Sequence, residues 1–178
     1  NQTRREKQEL PIQVGIGIHV GHMMLGMVGE NNRMQGDAFS DNVNLTARLE
    51  GLTKFYGVSL LLSEQAYENL TNPDEFQLRF LDRAIVKGRN EPIAVYEVLE
   101  AEQEAVKDLK LKTLDDFEQG LRLFRDKATL MDAKAYFEKV LVVNPSDKTA
   151  QLYVDRVEQL MSQGIPENWN GVWTFTQK

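Results

Sequence analysis

Apolar residues alternate with small or polar residues in the first part of the chain, which is the pattern of β-strands. Along residues 12–18, branched apolar side chains share one face, while Gln13, Gly15 and Gly17 share the other. Two glycines on one face weaken a strand, so we expect another element to pack very close to that face. Further strands are predicted at Val58–Leu62, Phe76–Val86 and Pro92–Leu99. The pattern therefore predicts a β-rich region up to about residue 100.

One strong helical pattern interrupts these strands. Ser40 or Asp41 can cap the helix, and leucines at positions 45, 49 and 52 form an apolar stripe at helical spacing. Asn44 and Arg48 are four residues apart, so they project side by side on a neighbouring face. The helix thus presents an amide and a guanidinium together.

The chain from Glu100 onward is helical in pattern. Residues 101–112 are highly charged and are predicted to form a linker or an exposed helix. Residues 113–178 are predicted to form a helical module with an aromatic tail. Its amphipathic segments are Leu114–Arg125, Asp132–Val143 and Asp147–Ser162. The first two fit the residue pattern of a single tetratricopeptide repeat, but a generic helical hairpin explains them equally well.

Composition narrows the classes of function. The formal net charge of −6 argues against a broad surface for DNA or RNA, although a single nucleotide needs only a few local cations. No apolar stretch is long enough to span a bilayer. The chain has no cysteine, which fits a cytoplasmic protein. We expect a cytoplasmic location, with any membrane tether lying in upstream domains.

Several segments, in order and with the right spacing, resemble the class III adenylate and guanylate cyclases. They are Gly15–Gly21, Gly26–Glu30, Asp41–Glu50, Phe80–Arg89 and Pro92–Val98. The resemblance covers residues 11–100 and implies the C-terminal half of the catalytic domain. It implies an α+β fold, with a ferredoxin-like mixed sheet and helices, followed here by the all-α hairpin. It also implies a lyase that converts ATP into 3′,5′-cyclic AMP and pyrophosphate.

The resemblance assigns roles to the two helix residues. Arg48 matches the arginine that contacts the phosphate in the transition state, a task for which a forked, always-charged donor is suited. Its structural alternative is a surface arginine paired with Glu50 or Asp41. Asn44 matches the asparagine that orients the ribose. Its alternative is a helix-start asparagine that satisfies backbone groups.

Two further residues match substrate-binding positions of the family. Asp37 lies where adenylate cyclases read the purine, and a carboxylate there accepts from the adenine amino group but repels the guanine oxygen. This favours ATP over GTP, while the alternative is a loop aspartate in a tight turn. Lys87 matches a lysine that binds the triphosphate, and Arg89 could substitute for it. The alternative for Lys87 is an exposed turn cation.

Other polar residues are given structural roles. Arg33 is predicted to lie in a hairpin loop as a solvated residue. His19 and His22 are three apart, which places them on opposite faces of a strand, and no carboxylates accompany them. We therefore predict no metal site in this chain.

The family's metal ions, Mg²⁺ or Mn²⁺, are held by two aspartates in motifs that residues 1–178 do not contain. Only Asn1–Leu10, a truncated upstream region, precedes the first predicted strand. The family's sites form between two subunits of a dimer, so this chain would supply only the purine-reading and transition-state half. We expect a sheet that lacks a central strand and exposes apolar surface. We also expect this chain alone to be inactive and to self-associate.

Two hypotheses of different class remain. The first is an adenylate cyclase that acts as a homodimer, with a helical module that could bind a protein partner. The second is a catalytically inactive cyclase fold that serves in dimerisation or interaction. The presence together of Asp37, Asn44, Arg48 and Lys87 favours the enzyme, because a scaffold needs none of them.

Overall fold

The structure is a computed structural model that describes residues 1–10, 12–30, 33–86 and 91–175. The elements up to residue 100 are α1 (Gln2–Glu6), β1 (Ile16–Ile18), β2 (Met24–Glu30), β3 (Arg33–Phe39), α2 (Asp41–Tyr56), β4 (Leu60–Ser63), α3 (Glu64–Glu68), β5 (Leu78–Ile85) and β6 (Ile93–Val98). The elements after residue 100, which together are called the helical module below, are α4 (Glu104–Lys112), α5 (Leu114–Phe124), α6 (Leu130–Val143), α7 (Lys148–Gln163) and the short β7 (Trp173–Thr174). The predicted α+β class, with helices added after the sheet, is confirmed.

The main sheet is mixed and has five strands in the order β1-β4-β6-β5-β7. The β1–β4 and β5–β7 pairs are parallel, and the β4–β6 and β5–β6 pairs are antiparallel. The first strand is shorter than predicted, because its ladder with β4 covers only the three residues Ile16–Ile18. Residues 12–15 are described but lie outside the strand.

The apolar face of the first strand is uncovered. Five side chains on this stretch are between 40% and 66% exposed: Ile12, Val14, Ile16, Ile18 and Val20. These apolar side chains stay exposed beside the β1–β4 pair, as expected for a sheet without a central strand.

A hairpin of β2 and β3 forms a separate two-stranded sheet. Its register runs from Met24 opposite Phe39 to Glu30 opposite Arg33. The prediction that Arg33 lies in a loop is wrong, because Arg33 is the first residue of β3. A hairpin loop was predicted near Arg33, but the bounds of its two strands were not, since glycines break their apolar alternation.

A β-bulge in β5 changes which side chains face the helices. The register with β6 shifts between Phe80 and Asp82, so Leu81 is an extra residue on one strand. Residues three apart on a regular strand lie on opposite faces. Because of the bulge, both Arg79 and Asp82 contact the helical module.

One continuous apolar core joins the sheet, α2 and the helical module. It includes Leu45 and Leu49 of α2, Val95 of β6, Phe137 of α6 and Val157 of α7, all fully buried. Rings of α5, α6 and α7 meet at its centre. The helices after residue 100 are therefore packed on the same core as the sheet.

A cluster of buried charges accompanies this core. Arg79 Nη1 lies 2.9 Å from Asp147 Oδ2 and 3.6 Å from Glu97 Oε2, and its guanidinium covers the ring of Phe117. Lys110, on α4, is ion-paired with Glu97. Residues 101–112, predicted to be a linker or an exposed helix, thus contain a helix with a buried lysine. Burial raises the pKa of the Glu97 carboxyl, although the two cations oppose this shift.

The α5–α6 hairpin is present as predicted, and its likeness to a tetratricopeptide repeat stays a prediction. None of the helices in the described part of the chain combines the length and hydropathy needed to cross a membrane.

Candidate active site

The helix α2 begins directly after β3, through Ser40. The Ser40 hydroxyl accepts hydrogen bonds from the backbone nitrogens of Asn42 (3.1 Å) and Val43 (3.2 Å). This satisfies amides that have no partner within the first turn of the helix. Of the two predicted caps, Ser40 is the one observed. The cap fixes the turn on which Asn44 lies.

Asn44 and Arg48 lie on one side of α2, one turn apart. Asn44 is exposed and Arg48 is half-buried, while Leu45 and Leu49 are fully buried on the core side. The Nη1 atom of Arg48 is shielded from solvent and has no hydrogen-bond partner among the described residues. A shielded guanidinium nitrogen without an acceptor is costly, and an anionic ligand would satisfy it.

The glycines of the first strand set how closely α2 approaches the sheet. A Cβ atom on Gly17 would lie 2.6 Å from the backbone nitrogen of Glu50, and one on Gly15 would lie 2.0 Å from Thr53 Oγ1. The close packing that the sequence predicts against this face is thus confirmed, and the packing element is α2. Larger residues at these positions would push the helix away from β1.

His19 ties the start of α2 to the sheet. Its Nδ1 lies 2.8 Å from Ser63 Oγ, and its Nε2 lies 3.2 Å from Asn42 Oδ1. Asn42 Nδ2 also donates to the carbonyl oxygen of His22 (2.8 Å). The predicted structural role of His19 is confirmed by these contacts. Within the ranges that the structure describes, no group of three or more His, Asp or Glu side chains could hold a metal ion.

The other two predicted substrate residues are placed less fully. The backbone of Asp37 lies in β3 opposite Gly26, three residues before the cap, so the alternative of a tight-turn loop residue is wrong. Lys87 lies outside the described residues, and so does Arg89. The structure therefore brings Asn44 and Arg48 together and places the backbone of Asp37 near the start of the same helix.

The far end of α2 carries contacts that sequence reasoning missed. The Tyr56 hydroxyl donates to Asp82 Oδ2 (2.7 Å), which also accepts from Arg156 Nη1 (2.7 Å). Burial, and then the charge of Asp82, raise the pKa of Tyr56 well above its ordinary value, so its hydroxyl stays a donor at neutral pH. The sequence did not predict that Tyr56 and Arg156 both bond to Asp82, because this contact depends on the bulge in β5.

A cavity of about 300 Å³ lies between β5, α5 and the C-terminal tail. Asp82, Arg83 and Tyr153 line part of it, whereas neither Asn44 nor Arg48 does. This cavity is therefore separate from the candidate site on α2.

Comparisons with known proteins agree with the motifs. The family model described as the adenylate and guanylate cyclase catalytic domain matches residues 1–100. The chain is 35% identical over 149 residues to "Adenylate cyclase, terminal-differentiation specific" of Dictyostelium discoideum, covering 83% of this chain and 7% of that protein. It is 46% identical over 94 residues to an adenylate cyclase of Anabaena cylindrica, covering 52% of this chain and 19% of that protein.

Among solved structures, the adenylyl cyclase CyaB of P. aeruginosa is similar, with 24% identity and a TM-score of 0.45. That match covers 58% of this chain and 52% of the solved chain. The chain thus spans only a small part of the two curated relatives and about half of the solved chain.

Proposed function

Because the chain belongs to the adenylate and guanylate cyclase catalytic domain family, we propose that it takes part in converting ATP into 3′,5′-cyclic AMP and pyrophosphate. The observation that carries this proposal is the face of α2, where the exposed amide of Asn44 lies one turn from the half-buried guanidinium of Arg48. A shielded Arg48 Nη1 without a partner among the described residues suits a phosphate ligand.

The proposed reaction is a single displacement. The ribose 3′-oxygen attacks the α-phosphorus and gives its proton to water as the cyclic ester forms, while the bond between the α-phosphorus and the bridging oxygen breaks and pyrophosphate leaves with that oxygen. Arg48 stabilises the negative charge that develops on the phosphate in the transition state. Asn44 holds the ribose so that the attacking oxygen is aligned.

Asp37 and Lys87 complete this half of the site in the proposal. Asp37 accepts a hydrogen bond from the adenine amino group, which selects ATP over GTP. Lys87 binds the triphosphate as a point charge. Their roles rest on the motif match, together with the short connection from β3 through Ser40 to α2.

Cyclases of this family use divalent metal ions, and we propose Mg²⁺ or Mn²⁺. The described residues contain no group of three or more His, Asp or Glu side chains that could hold such an ion, and the two aspartate motifs of the family do not occur in residues 1–178. No step is therefore assigned to a metal bound by this chain. We propose that the metal ligands come from a second catalytic subunit. We also propose that the reaction takes place in the cytoplasm.

A homodimer is supported by the apolar surface that the chain exposes. Met24 and Leu25 of the hairpin are 74% and 76% exposed. Surfaces of this kind mark interaction sites. This chain alone would then lack half of each site, so we expect it to be inactive by itself with Mn²⁺ and ATP.

The test is the full-length protein assayed with ATP and with GTP, beside the Arg48→Ala variant. Loss of the guanidinium should lower kcat by roughly 10²- to 10³-fold, the range for removing one donor to a transition-state anion. Arg122→Ala is the matched control, because Arg122 is an exposed arginine of α5 that donates to Gln119 of its own helix. Its activity should equal that of the unmodified protein.

The purine assignment is tested by Asp37→Ala in the same assay. The ratio of kcat/KM for ATP to that for GTP should fall towards one, because the acceptor for the adenine amino group is lost.

If the full-length protein forms no cyclic nucleotide, or if Arg48→Ala is as active as Arg122→Ala, the proposed function is wrong and the interaction-module hypothesis is favoured.

A further inference from the structure

The last carbonyl groups of α2 are bound by the helical module. Thr149 Oγ1, on α7, donates to the carbonyl oxygen of Tyr56 at 2.9 Å, and both residues are buried. This carbonyl is one of the four at a helix end that lack a partner within the helix. Gly57 then leaves the helix with φ of 70°, and a Cβ there would lie 2.4 Å from Lys148 Cδ. The start of α7 therefore lies directly against the end of α2.

A second contact joins the same two helices through the sheet. Asp82 Oδ2 accepts from the Tyr56 hydroxyl on one side and from Arg156 Nη1 on the other, each at 2.7 Å. All three residues are at most 2% exposed. Tyr153, one turn before Arg156, donates its hydroxyl to the carbonyl oxygen of Leu81 (2.8 Å). A buried carboxylate with two donors fixes both helices relative to β5.

The C-terminal tail makes the third contact. The ring of Phe175 packs edge-on against Phe55 and Tyr56, with centroids 4.7 Å and 6.1 Å apart. The Phe175 backbone nitrogen donates to the carbonyl oxygen of Ile85 (3.0 Å), and the tail lies beside β5 through β7. The last turn of α2 is thus enclosed by α7 and by the tail.

These contacts act on the helix that carries the candidate site. Arg48 lies eight residues before Tyr56, a distance of about 12 Å along a rigid α-helix. A tilt of α2 at its last turn would therefore displace the Asn44–Arg48 face. Misplacing reacting groups by about 1 Å can cost on the order of 10²-fold in rate. The match to the Dictyostelium relative extends over 149 residues, whereas the family model covers residues 1–100, so part of the helical module is shared with that cyclase.

We propose that Thr149 and Arg156 are positioning residues for the cyclase reaction. They hold the C-terminal end of α2, and thereby set the orientation of Asn44 and Arg48 toward the nucleotide. The helical module is in this view a working part of the catalytic unit. The inference deepens the proposed function and rests on it.

The test compares Thr149→Val with Thr113→Val in the full-length protein. Both threonines are 1% exposed and donate from Oγ1 to backbone carbonyls, but Thr113 bonds Leu109 and Lys110 within the helical module. Thr149→Val should lower kcat about tenfold and leave KM for ATP within about twofold, because the change affects alignment more than binding. Thr149→Ser, which keeps the hydroxyl, should restore kcat. Thr113→Val should keep the unmodified kcat per folded molecule.

Amide hydrogen exchange along α2 gives a readout that does not depend on activity. Thr149→Val should speed exchange over residues 45–56, and Thr113→Val should not. Tyr56→Phe, which removes only the hydroxyl bonded to Asp82, is the second variant and should act in the same direction. If Thr149→Val and Thr113→Val change kcat and α2 exchange equally, Thr149 is merely a stabilising residue and the inference fails. If the unmodified protein forms no cyclic nucleotide, the proposed function fails, and exchange alone decides whether α7 holds α2.

Discussion

At the scale of single residues, the glycines of the first strand are the most informative positions. Glycine at alternate positions predicts close packing on one face, and both glycines do lie against α2, Gly15 at the side chain of Thr53 and Gly17 at the backbone of Glu50. The sequence could not identify α2 as the packing element, because that choice depends on contacts between residues more than 30 positions apart. Likewise, it predicted the shared face of Asn44 and Arg48 from helical spacing, but could not show that Arg48 is half-buried.

The glycine packing predicts opposite effects at two positions. Gly17→Ala should lower the free energy of unfolding by about 1–3 kcal/mol, because the new Cβ would overlap the backbone at Glu50, which cannot rotate away. Gly51→Ala, within α2, should raise it by about 0.5–1 kcal/mol, since nothing lies within 4 Å and alanine favours the helix. Urea unfolding of the whole chain measures both. Equal stability of the two variants would show that α2 does not pack this closely on β1.

At the scale of elements, helices were easier to predict than strands. The segments Leu114–Arg125 and Asp147–Ser162 correspond closely to α5 and α7, because helical periodicity is a local property of the sequence. The two strands β2 and β3 were not predicted, although a hairpin loop was, since glycines obscure the alternation and the register is set by pairing across the strands. The bulge at Leu81 was not predicted either, because it too depends on pairing with the neighbouring strand. The sequence therefore did not show that Arg79 and Asp82 lie on the same face of β5.

The Ser40 cap is expected to contribute to stability through the first turn of α2. Ser40→Ala should lower the free energy of unfolding by about 1 kcal/mol, because two backbone amides lose their acceptor. Ser40→Asp, which supplies another acceptor, should retain most of the stability. Ser162→Ala, at an exposed position in the last turn of α7, is the matched control and should change stability by less than about 0.5 kcal/mol.

Hydrogen exchange locates the effect of this cap. Amides of residues 42–45 should exchange faster in Ser40→Ala than in the unmodified chain, while those of α7 should be unchanged. A loss of protection spread evenly over the molecule would indicate that Ser40 stabilises the whole fold and not the first turn of α2.

At the scale of the whole molecule, the division expected near residue 100 does not separate two cores. The change in composition there predicted a linker, yet Val95 and Phe137 belong to one continuous apolar cluster. The sequence could not show this, because the apolar residues of these helices fit a separate helical hairpin as well as they fit a core shared with the sheet. Buried charges strengthen the connection, with Arg79 of the sheet ion-paired to Asp147 at the start of α7.

This connection predicts that two arginines of the same strand differ greatly in their effect on stability. Arg79→Met should lower the free energy of unfolding by about 3–5 kcal/mol, because Glu97 and Asp147 would stay buried after losing a cation. Arg83→Met should cost less than about 1 kcal/mol, since the Arg83 side chain is 47% exposed and lies 3.6 Å from Glu64.

Urea unfolding, followed by tryptophan fluorescence and by far-UV circular dichroism, measures both arginine variants. Trp169 and Trp173 lie in the helical module and pack against the shared core, so fluorescence reports on the module while dichroism reports on the whole chain. In the unmodified chain the two transitions should coincide, because one core must open as a unit. Separate transitions would mean that the module and the sheet do not unfold as one cooperative unit. Equal losses in Arg79→Met and Arg83→Met would mean that the buried charges add nothing to the connection between them.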